Sequence, residues 1–235
     1  MQQRWSDLLF AHWPIPIAEM ASLLPAELEV DAFDGFAWAG VVPFWMDEVG
    51  VRAVGSFKVG FPTTRSFPEL NLRTYVRSRR TGLPGVFFFS LDCASTLAVI
   101  GARTIFHLPY FRASMSRTED EHGIHYRSRR RFTRQNVRFD ATYRSRGKPA
   151  DAALPGSIEH FLTERYCLFT PHGKRMLVGD IHHLPWPLEP AEAEIRVNEL
   201  AGAHGLRLPD RPPLLHFARE LRVSIWALRP DRPYA

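Results

Sequence analysis

The stretch "SFPELNLRTYV", residues 66–76, separates its side chains into two chemically different sets if it forms a β-strand. One face is largely apolar and carries Leu70, Leu72, Thr74 and Val76. The other face carries an acid, an amide, a guanidinium and a phenol, namely Glu69, Asn71, Arg73 and Tyr75. Because successive side chains of a strand point to opposite faces, the polar set is either solvated or lines an interior site.

A second polar line is predicted in "GARTIFHLPY", residues 101–110. As a strand ended by a proline, this segment places Arg103 and His107 on one face. If that face and the Glu69–Arg73 face enclose one cavity, the charges must pair with each other or with a charged ligand, because a low-dielectric interior does not tolerate unpaired charges. The alternative is a solvated outer face or a structural ion pair.

Arg165, in "FLTERYCLFT", is a further candidate for this cavity. It lies where a helix is expected to pass into a strand, so its side chain could extend inward. The alternative is a surface arginine whose stem covers apolar neighbours.

The elements that position these residues are mostly hairpins. Strand-like runs alternate with turn signals such as Asp34-Gly35, and residues 126–146 predict a further antiparallel pair. Helices are expected around residues 18–24, after the N-cap Ser157, and over "PAEAEIRVNELAGAHG" at 190–205. We therefore predict one α+β domain over residues 1–235, a curled or closed, mainly antiparallel sheet flanked by a few helices.

Composition excludes several classes of protein. The chain is 45% hydrophobic, carries a net charge of +5, and has no apolar run of the length that a membrane span needs. The N-terminus has no secretion signal, so a cytoplasmic location is expected. Cys93 and Cys167 lie in apolar segments and are expected to be buried free thiols; no cofactor or metal is predicted, and assembly into a homo-oligomer stays open.

A competing function comes from "YRSRRRFTRQNVRFDATYRSRG", in which arginines alternate with aromatic residues. Cations that follow a backbone and rings that stack on bases are how proteins hold single-stranded nucleic acid. An ordinary hairpin, with aromatic side chains in the core and arginines in water, has the same pattern.

Several blocks carry a family resemblance. They are "HWPIPIAEMASLLPAELEVDAFDGFAWAGVVPF", "FPELNLRTYV", "GVFFFSLD", "ARTIFHLPY", "FLTERYCLF" and "GDIHHLPWPL". In this order, over about residues 10–190, they resemble the uncharacterised YqjF-like domain family, which is distantly similar to the acetoacetate decarboxylase fold. That resemblance implies a conical antiparallel β-barrel whose interior binds a small keto acid.

The resemblance also implies site residues. Glu69 matches a glutamate of acetoacetate decarboxylases, whereas Tyr110 and Phe111 stand where their Schiff-base lysine would lie, and none of Lys58, Lys148 and Lys174 is close to that block. The expected catalytic residues are Glu69, Tyr110 and Arg103, and the expected ligand-binding residues are Arg73, Tyr75, His107 and Arg165.

The expected function is therefore a pocket for a small anionic molecule such as a carboxylate, used either for binding alone or for acid-base chemistry on a small keto acid that needs no imine. In this scheme Arg103 lies beside the Tyr110 phenol and lowers its pKa.

Overall fold

The computed structural model describes residues 1–52, 58–59 and 66–233. Strands dominate this part of the chain, and their bounds are β1 Gln2–Ile15, β2 Leu28–Val30, β3 Ala37–Arg52, β4 Lys58–Val59, β5 Ser66–Ser78, β6 Pro84–Cys93, β7 Tyr110–Asp120, β8 Gly123–Arg130, β9 Arg138–Ser145, β10 Cys167–His172, β11 Arg175–His183, β12 Leu188–Asn198, β13 Leu214–Ile225 and β14 Arg229–Pro230. The helices are α1 Ile17–Ser22, α2 Thr96–Ile105, α3 Ile158–Thr163 and the 3-10 turn Gly202–His204.

Nine strands close into a barrel. Following the hydrogen-bonded neighbours from β6 through β7, β8, β9, β12, β13, β1, β3 and β5 leads back to β6. All these pairs are antiparallel except β6 with β7, because α2 crosses between these two strands and reverses the chain direction. The predicted fold class, a closed and mainly antiparallel barrel with few helices, is confirmed.

Strands β10 and β11 form a second link between β6 and β13. β10 pairs with β6, β11 pairs with β10 and with β13, and both strands lie over the face of β1, β3 and β5 that points away from β8 and β9. These three shared strands therefore bury both faces. One face contributes Leu8, Phe10, Phe44 and Tyr75 to an apolar cluster that we call the first core, and the other contributes Leu9, Ala11, Val41 and Leu72 to the second core.

The N-terminal hairpin turn and α3 form as expected. Asp34 and Gly35 both adopt positive φ values, 51° and 77°, between the bridged residues Phe33 and Phe36. The Ser157 side chain caps α3 by accepting a hydrogen bond from the His160 amide. Residues 126–146 form the antiparallel pair β8 and β9, as predicted.

The strand predicted for "GARTIFHLPY" is wrong. Residues 96–105 form the helix α2, whose first turn is capped by Ser95. Val99 is buried, and Ala98, Ala102 and Phe106 pack against the first core, a spacing that suits one face of a helix. The alternation expected for a strand does not apply, so Arg103 and His107 do not share a sheet face.

The helix predicted for "PAEAEIRVNELAGAHG" is also wrong. Residues 188–198 form β12, which pairs with β9, and only Gly202–His204 is helical. Cross-strand ion pairs join Glu192 to Arg144 and Arg196 to Asp140. Pairing with a distant strand has overridden the helical preference of alanine and glutamate.

Candidate functional site

The polar face of β5 is buried. Glu69, Asn71, Arg73 and Tyr75 expose 2%, 5%, 8% and 0% of their surface, while Leu70 and Leu72, of opposite parity, pack in the second core. Tyr75 belongs to the first core, and alternation places the other three on the same side. The polar line in "SFPELNLRTYV" therefore lines the interior on the side of the first core.

Glu69 and Tyr110 form a buried pair. The Tyr110 hydroxyl donates a hydrogen bond of 2.8 Å to Glu69 Oε2, and Tyr110 opens β7, parallel to β6. Burial raises the pKa of the Glu69 carboxyl to about 8, with a contribution from Asp92, while the hydrogen bond from Tyr110 opposes the rise. Glu69 is therefore mostly protonated at neutral pH.

The expected effect of Arg103 on Tyr110 is wrong. Burial, and then the neighbouring Glu69, raise the pKa of the Tyr110 phenol well above its usual range. Arg103 lies on the exposed side of α2, and its Nε donates to the backbone oxygen of Tyr110 at 2.6 Å instead of facing the phenol. Tyr110 is thus a hydrogen-bond donor and not a phenolate.

Arg103 and His107 do not join the other predicted residues. Arg103 is held outside the first core by α2, with its guanidinium over the Phe111 ring at 5.7 Å. His107 follows α2 with a φ of 50° and stacks on His172, with the ring centroids 3.8 Å apart. The hypothesis that Arg73 and Arg103 face one enclosed cavity is contradicted, because the segment is helical.

A second polar group surrounds Tyr75. The Tyr75 hydroxyl lies 2.6 Å from His12 Nε2 and accepts a hydrogen bond of 3.2 Å from Arg73 Nη2. Arg73 also donates to the backbone oxygen of Leu162 in α3 at 3.3 Å. His12 is fully buried, and burial, with Arg73 as the next cause, lowers its pKa well below the usual histidine value.

Arg165 reaches this group from the segment after α3. Its guanidinium lies over the Tyr75 ring at 5.3 Å and over Phe161 at 4.3 Å. Its Nη1 pairs with Asp31 at 2.5 Å and its Nε donates to the Phe161 backbone oxygen at 2.7 Å. Arg165 therefore has an acidic partner within the protein, which it shares with the partly exposed Arg77.

Arg73 differs from Arg165 in its electrostatic surroundings. No carboxylate of the described residues lies within ion-pair distance of Arg73, although only 8% of its surface is exposed. Its Nε, together with His12 Nδ1 and Asn71 Oδ1, has no hydrogen-bond partner in the described part of the chain. A buried cation with unused donors is costly, and an anionic ligand would satisfy it.

Sequence reasoning missed His12. The residue lies in "AHWPIPI" on β1, with the parity of Leu8 and Phe10, which face the first core. That parity was the available signal. Its neighbour Tyr75 lies on β5, two strands away, and no local pattern links the two.

The outer surface holds a separate depression of about 620 Å³ on strands β8, β9 and β12. It is lined by His122, His125, Arg127, Thr142, Tyr143, Arg144, Glu192, Ala193, Glu194 and Arg196. Most of its arginines pair with acids, such as Arg144 with Glu192 and Arg196 with Asp140. It does not include the buried residues of β5.

The hairpin of β8 and β9 does not support nucleic-acid binding. Tyr126, Phe139 and Tyr143 are buried, so their rings cannot stack on bases, and Phe132 alone of the four aromatic residues is exposed. Of the arginines, Arg127 pairs with Asp140 and Arg138 with Glu199. The pattern is that of an ordinary hairpin.

The described residues form neither a cluster of metal ligands nor a membrane-spanning helix. Among residues 1–52, 58–59 and 66–233, no three histidine, cysteine or acidic side chains converge in a way that could hold a metal ion. Within the same residues no helix has the length and apolar character to cross a membrane. Cys93 and Cys167 are buried free thiols, as predicted.

Known structures share this fold. The enduracididine biosynthesis enzyme MppR in complex with pyruvate superimposes with a TM-score of 0.64, covering 100% of this chain and 91% of that one at 11% identity. Acetoacetate decarboxylase from Legionella pneumophila gives a TM-score of 0.61, covering 98% of this chain and 88% of that one at 15% identity. The fold is therefore acetoacetate decarboxylase-like.

The sequence itself defines the family. Residues 2–222 match the DUF2071 family, described as an uncharacterized conserved protein, and the chain belongs to it. The uncharacterized protein YqjF of Bacillus subtilis (strain 168) is 44% identical over 229 residues, which cover 97% of this chain and 91% of the relative. The predicted resemblance to YqjF-like proteins is confirmed.

Proposed function

We propose that this protein binds a small carboxylate beside the polar face of β5 and moves a proton on it without forming an imine. The observation that carries this proposal is a single strand face that holds both a buried acid with its phenol partner and a buried arginine without a carboxylate. These are Glu69 with Tyr110, and Arg73. Binding of pyruvate by MppR, a protein of the same fold, supports the ligand class.

Arg73 is the residue that would bind the ligand carboxylate. The Nε–H of Arg73 has no partner in the described part of the chain and can donate to a carboxylate oxygen, while the two hydrogens of Nη2 are already donated to Tyr75 and Leu162. Along a strand, Glu69 and Arg73 lie about 13 Å apart at their Cα atoms. Two long side chains and a ligand of a few carbon atoms can span that interval.

Glu69 is the residue that would carry the proton. With a pKa raised to about 8, its acid and base forms are both populated near neutral pH, as a general acid-base catalyst requires. The carboxylate form takes a proton from the carbon beside the ligand carbonyl. The C–H electron pair then forms a C=C bond, and the carbonyl electron pair moves to oxygen. The Tyr110 hydroxyl, released from the protonated acid, donates a hydrogen bond to that enolate oxygen.

Imine chemistry has no support at the position implied by the family resemblance. Tyr110 and Phe111 occupy the place of the lysine, and a phenol cannot condense with a ketone. The side chain of Lys58 lies outside the described part of the structure. The proposed reaction is therefore a proton transfer that enolises the ligand; hydration or isomerisation of a small carboxylate is the alternative that also needs no imine.

Exchange of the pyruvate methyl protons in D₂O tests the proposal. Proton NMR should show loss of the methyl signal with the wild-type protein, at a rate that rises with pH up to about 8, as Glu69 ionises. Glu69→Gln should abolish the protein-dependent rate. A His122→Gln control, at an exposed turn, should retain it. Exchange that Glu69→Gln leaves unchanged would exclude Glu69 as the base.

A further inference from the structure

His12 is a buried histidine to which the proposed proton transfer gives no role. It is fully buried on β1 and touches the Tyr75 hydroxyl through Nε2 at 2.6 Å. Arg73 donates to the same hydroxyl at 3.2 Å, so His12 and Arg73 contact one oxygen atom. Its other ring nitrogen, Nδ1, has no hydrogen-bond partner in the described residues.

The hydrogen-bond pattern fixes which nitrogen carries the proton. Arginine only donates, so the Tyr75 oxygen accepts from Arg73 and its own proton is free to go to His12 Nε2. The reverse arrangement, with Nε2 donating, would leave both the Tyr75 proton and the Nδ1 lone pair unpaired. The first arrangement leaves one unpaired group and is favoured, because each unsatisfied buried group is costly. His12 therefore carries its proton on Nδ1.

The cation beside His12 has no acidic partner among the described residues. Asp31 pairs with both Arg165 and the partly exposed Arg77, whereas no described carboxylate pairs with Arg73. His216, half-buried on β13, contacts Glu159 of α3 at 3.6 Å, and burial lowers the pKa of His216, whereas Glu159 opposes that shift. His12 and His216 are neutral, and Glu159 is more exposed than Arg73. One monoanion would therefore neutralise the charge of Arg73.

We propose that His12 is a further ligand-binding residue of this site, which donates its Nδ1–H to an oxygen of the monocarboxylate held by Arg73. The inference rests on the proposed function for the existence of a carboxylate ligand. The His12 imidazole is a neutral donor beside the Arg73 guanidinium, and its contact with Tyr75 fixes its tautomer. The ligand carboxylate then satisfies two buried donors, His12 Nδ1–H and Arg73 Nε–H, which no described residue satisfies.

Calorimetric titration with pyruvate tests this role. His12→Gln keeps an amide near the Nε2 position but lacks a donor at the Nδ1 position, and should weaken pyruvate binding about tenfold or more. His12→Asn, which keeps an N–H near the Nδ1 position, should weaken it less. Arg73→Met should abolish binding, and the exposed control His122→Gln should bind like wild type.

The outcomes separate the two proposals. Unchanged affinity in a folded His12→Gln variant, with loss of binding in Arg73→Met, overturns the role of His12 and leaves the carboxylate site intact. Absence of pyruvate binding by the wild-type protein overturns the carboxylate site and the His12 role together.

The tautomer provides a readout that needs no substitution at His12. Long-range ¹H–¹⁵N correlation of ¹⁵N-histidine-labelled protein should show His12 protonated on Nδ1 only; its signal is assigned as the one that changes in Tyr75→Phe, which separates it from His183, whose Nδ1 lies 2.8 Å from the Leu184 backbone oxygen. The Nδ1–H signal of His12 should shift when pyruvate is added. Tyr75→Phe should remove this tautomer preference. A His12 protonated on Nε2, or an Nδ1–H signal that saturating pyruvate leaves in place, contradicts the proposal.

Discussion

Gly40 and His12 face each other on neighbouring strands at a distance that excludes any side chain at Gly40. The two residues are register partners of β3 and β1, and a Cβ atom at Gly40 would lie 2.8 Å from His12 Nε2. The same atom would lie 3.4 Å from Cγ of Arg73, the partner of Gly40 on β5. The absence of a side chain at Gly40 thus leaves room for the histidine and the arginine to contact Tyr75 together.

Gly40→Ala should displace His12 and Arg73 from Tyr75. We expect a loss of about 1–3 kcal/mol in the free energy of unfolding, as for other overpacked interiors, and weaker pyruvate binding. Denaturant unfolding and calorimetry measure the two effects. Gly101→Ala is the matched control, since an added Cβ meets nothing within 4 Å there and α2 should gain up to about 1 kcal/mol. Equal stability of both variants would contradict the close approach.

The raised pKa of Glu69 predicts that stability falls as pH rises. The folded state, with a Glu69 pKa of about 8, binds the proton more tightly than the unfolded chain, whose pKa is near 4.5. This contribution is fully present below about pH 4.5 and is lost as pH rises to about 8, with a limiting slope of about 1.4 kcal/mol per pH unit.

Comparison with Glu69→Gln isolates that contribution. Unfolding free energies at several pH values between 4 and 9 should fall for wild type relative to Glu69→Gln, and the difference should level off above about pH 8. The buried Asp92, whose pKa burial also raises, is present in both proteins, so the difference retains only its electrostatic coupling to Glu69. A difference that does not change with pH would show that the pKa of Glu69 is the same in the folded and unfolded protein.

The buried ion pair between Arg130 and Asp92 predicts a large stability effect. Its atoms are 2.7 Å apart with side-chain exposures of 3% and 1%, and Arg130 also stacks over Phe111 at 4.1 Å. Arg130→Met leaves an unpaired buried acid and should cost about 3–5 kcal/mol. Arg127→Met, which breaks an exposed pair with Asp140, should cost at most about 1 kcal/mol. Similar losses from both variants in chemical denaturation would be inconsistent with this assignment.

The absence of a lysine beside Tyr110 predicts no trappable imine. Incubation with acetoacetate and borohydride, followed by intact-mass measurement, should show no specific mass increase. A lysine-dependent decarboxylase from the same fold should be labelled under the same conditions. An adduct mapped to Lys58 would mean that an amine from another segment serves the interior, and would replace the proton-transfer scheme.

Local patterns predicted the part of the site that depends on one strand. Alternation along β5 is a property of the strand itself, so the sequence predicted that Glu69, Arg73 and Tyr75 share one face, while the burial of that face depends on the strands packed against it. The closure of the barrel followed from the family resemblance, because hairpins alone do not specify which edges meet.

The sequence predicted a strand where α2 forms and a helix where β12 forms, and both errors have physical causes. The apolar residues of α2 fit both periodicities, and the decisive signal was the cap Ser95, whose side chain accepts from the Ala98 amide. Once α2 is helical, Arg103 leaves the site. β12 forms because β9 provides cross-strand partners, which no local window contains. His12 on β1 contacts Tyr75 on β5 across the intervening strand β3, so the contact depends on the order of strands in the sheet and not on any local pattern.

A crystal structure with pyruvate, from protein purified without citrate or acetate, tests the central claim most directly. We predict density for one carboxylate within hydrogen-bonding distance of Arg73 and His12 Nδ1, with the rest of the ligand directed along β5 toward Glu69 and Tyr110. Pyruvate bound only in the outer depression of β8, β9 and β12, or an interior without ligand density at saturating pyruvate, would contradict the account.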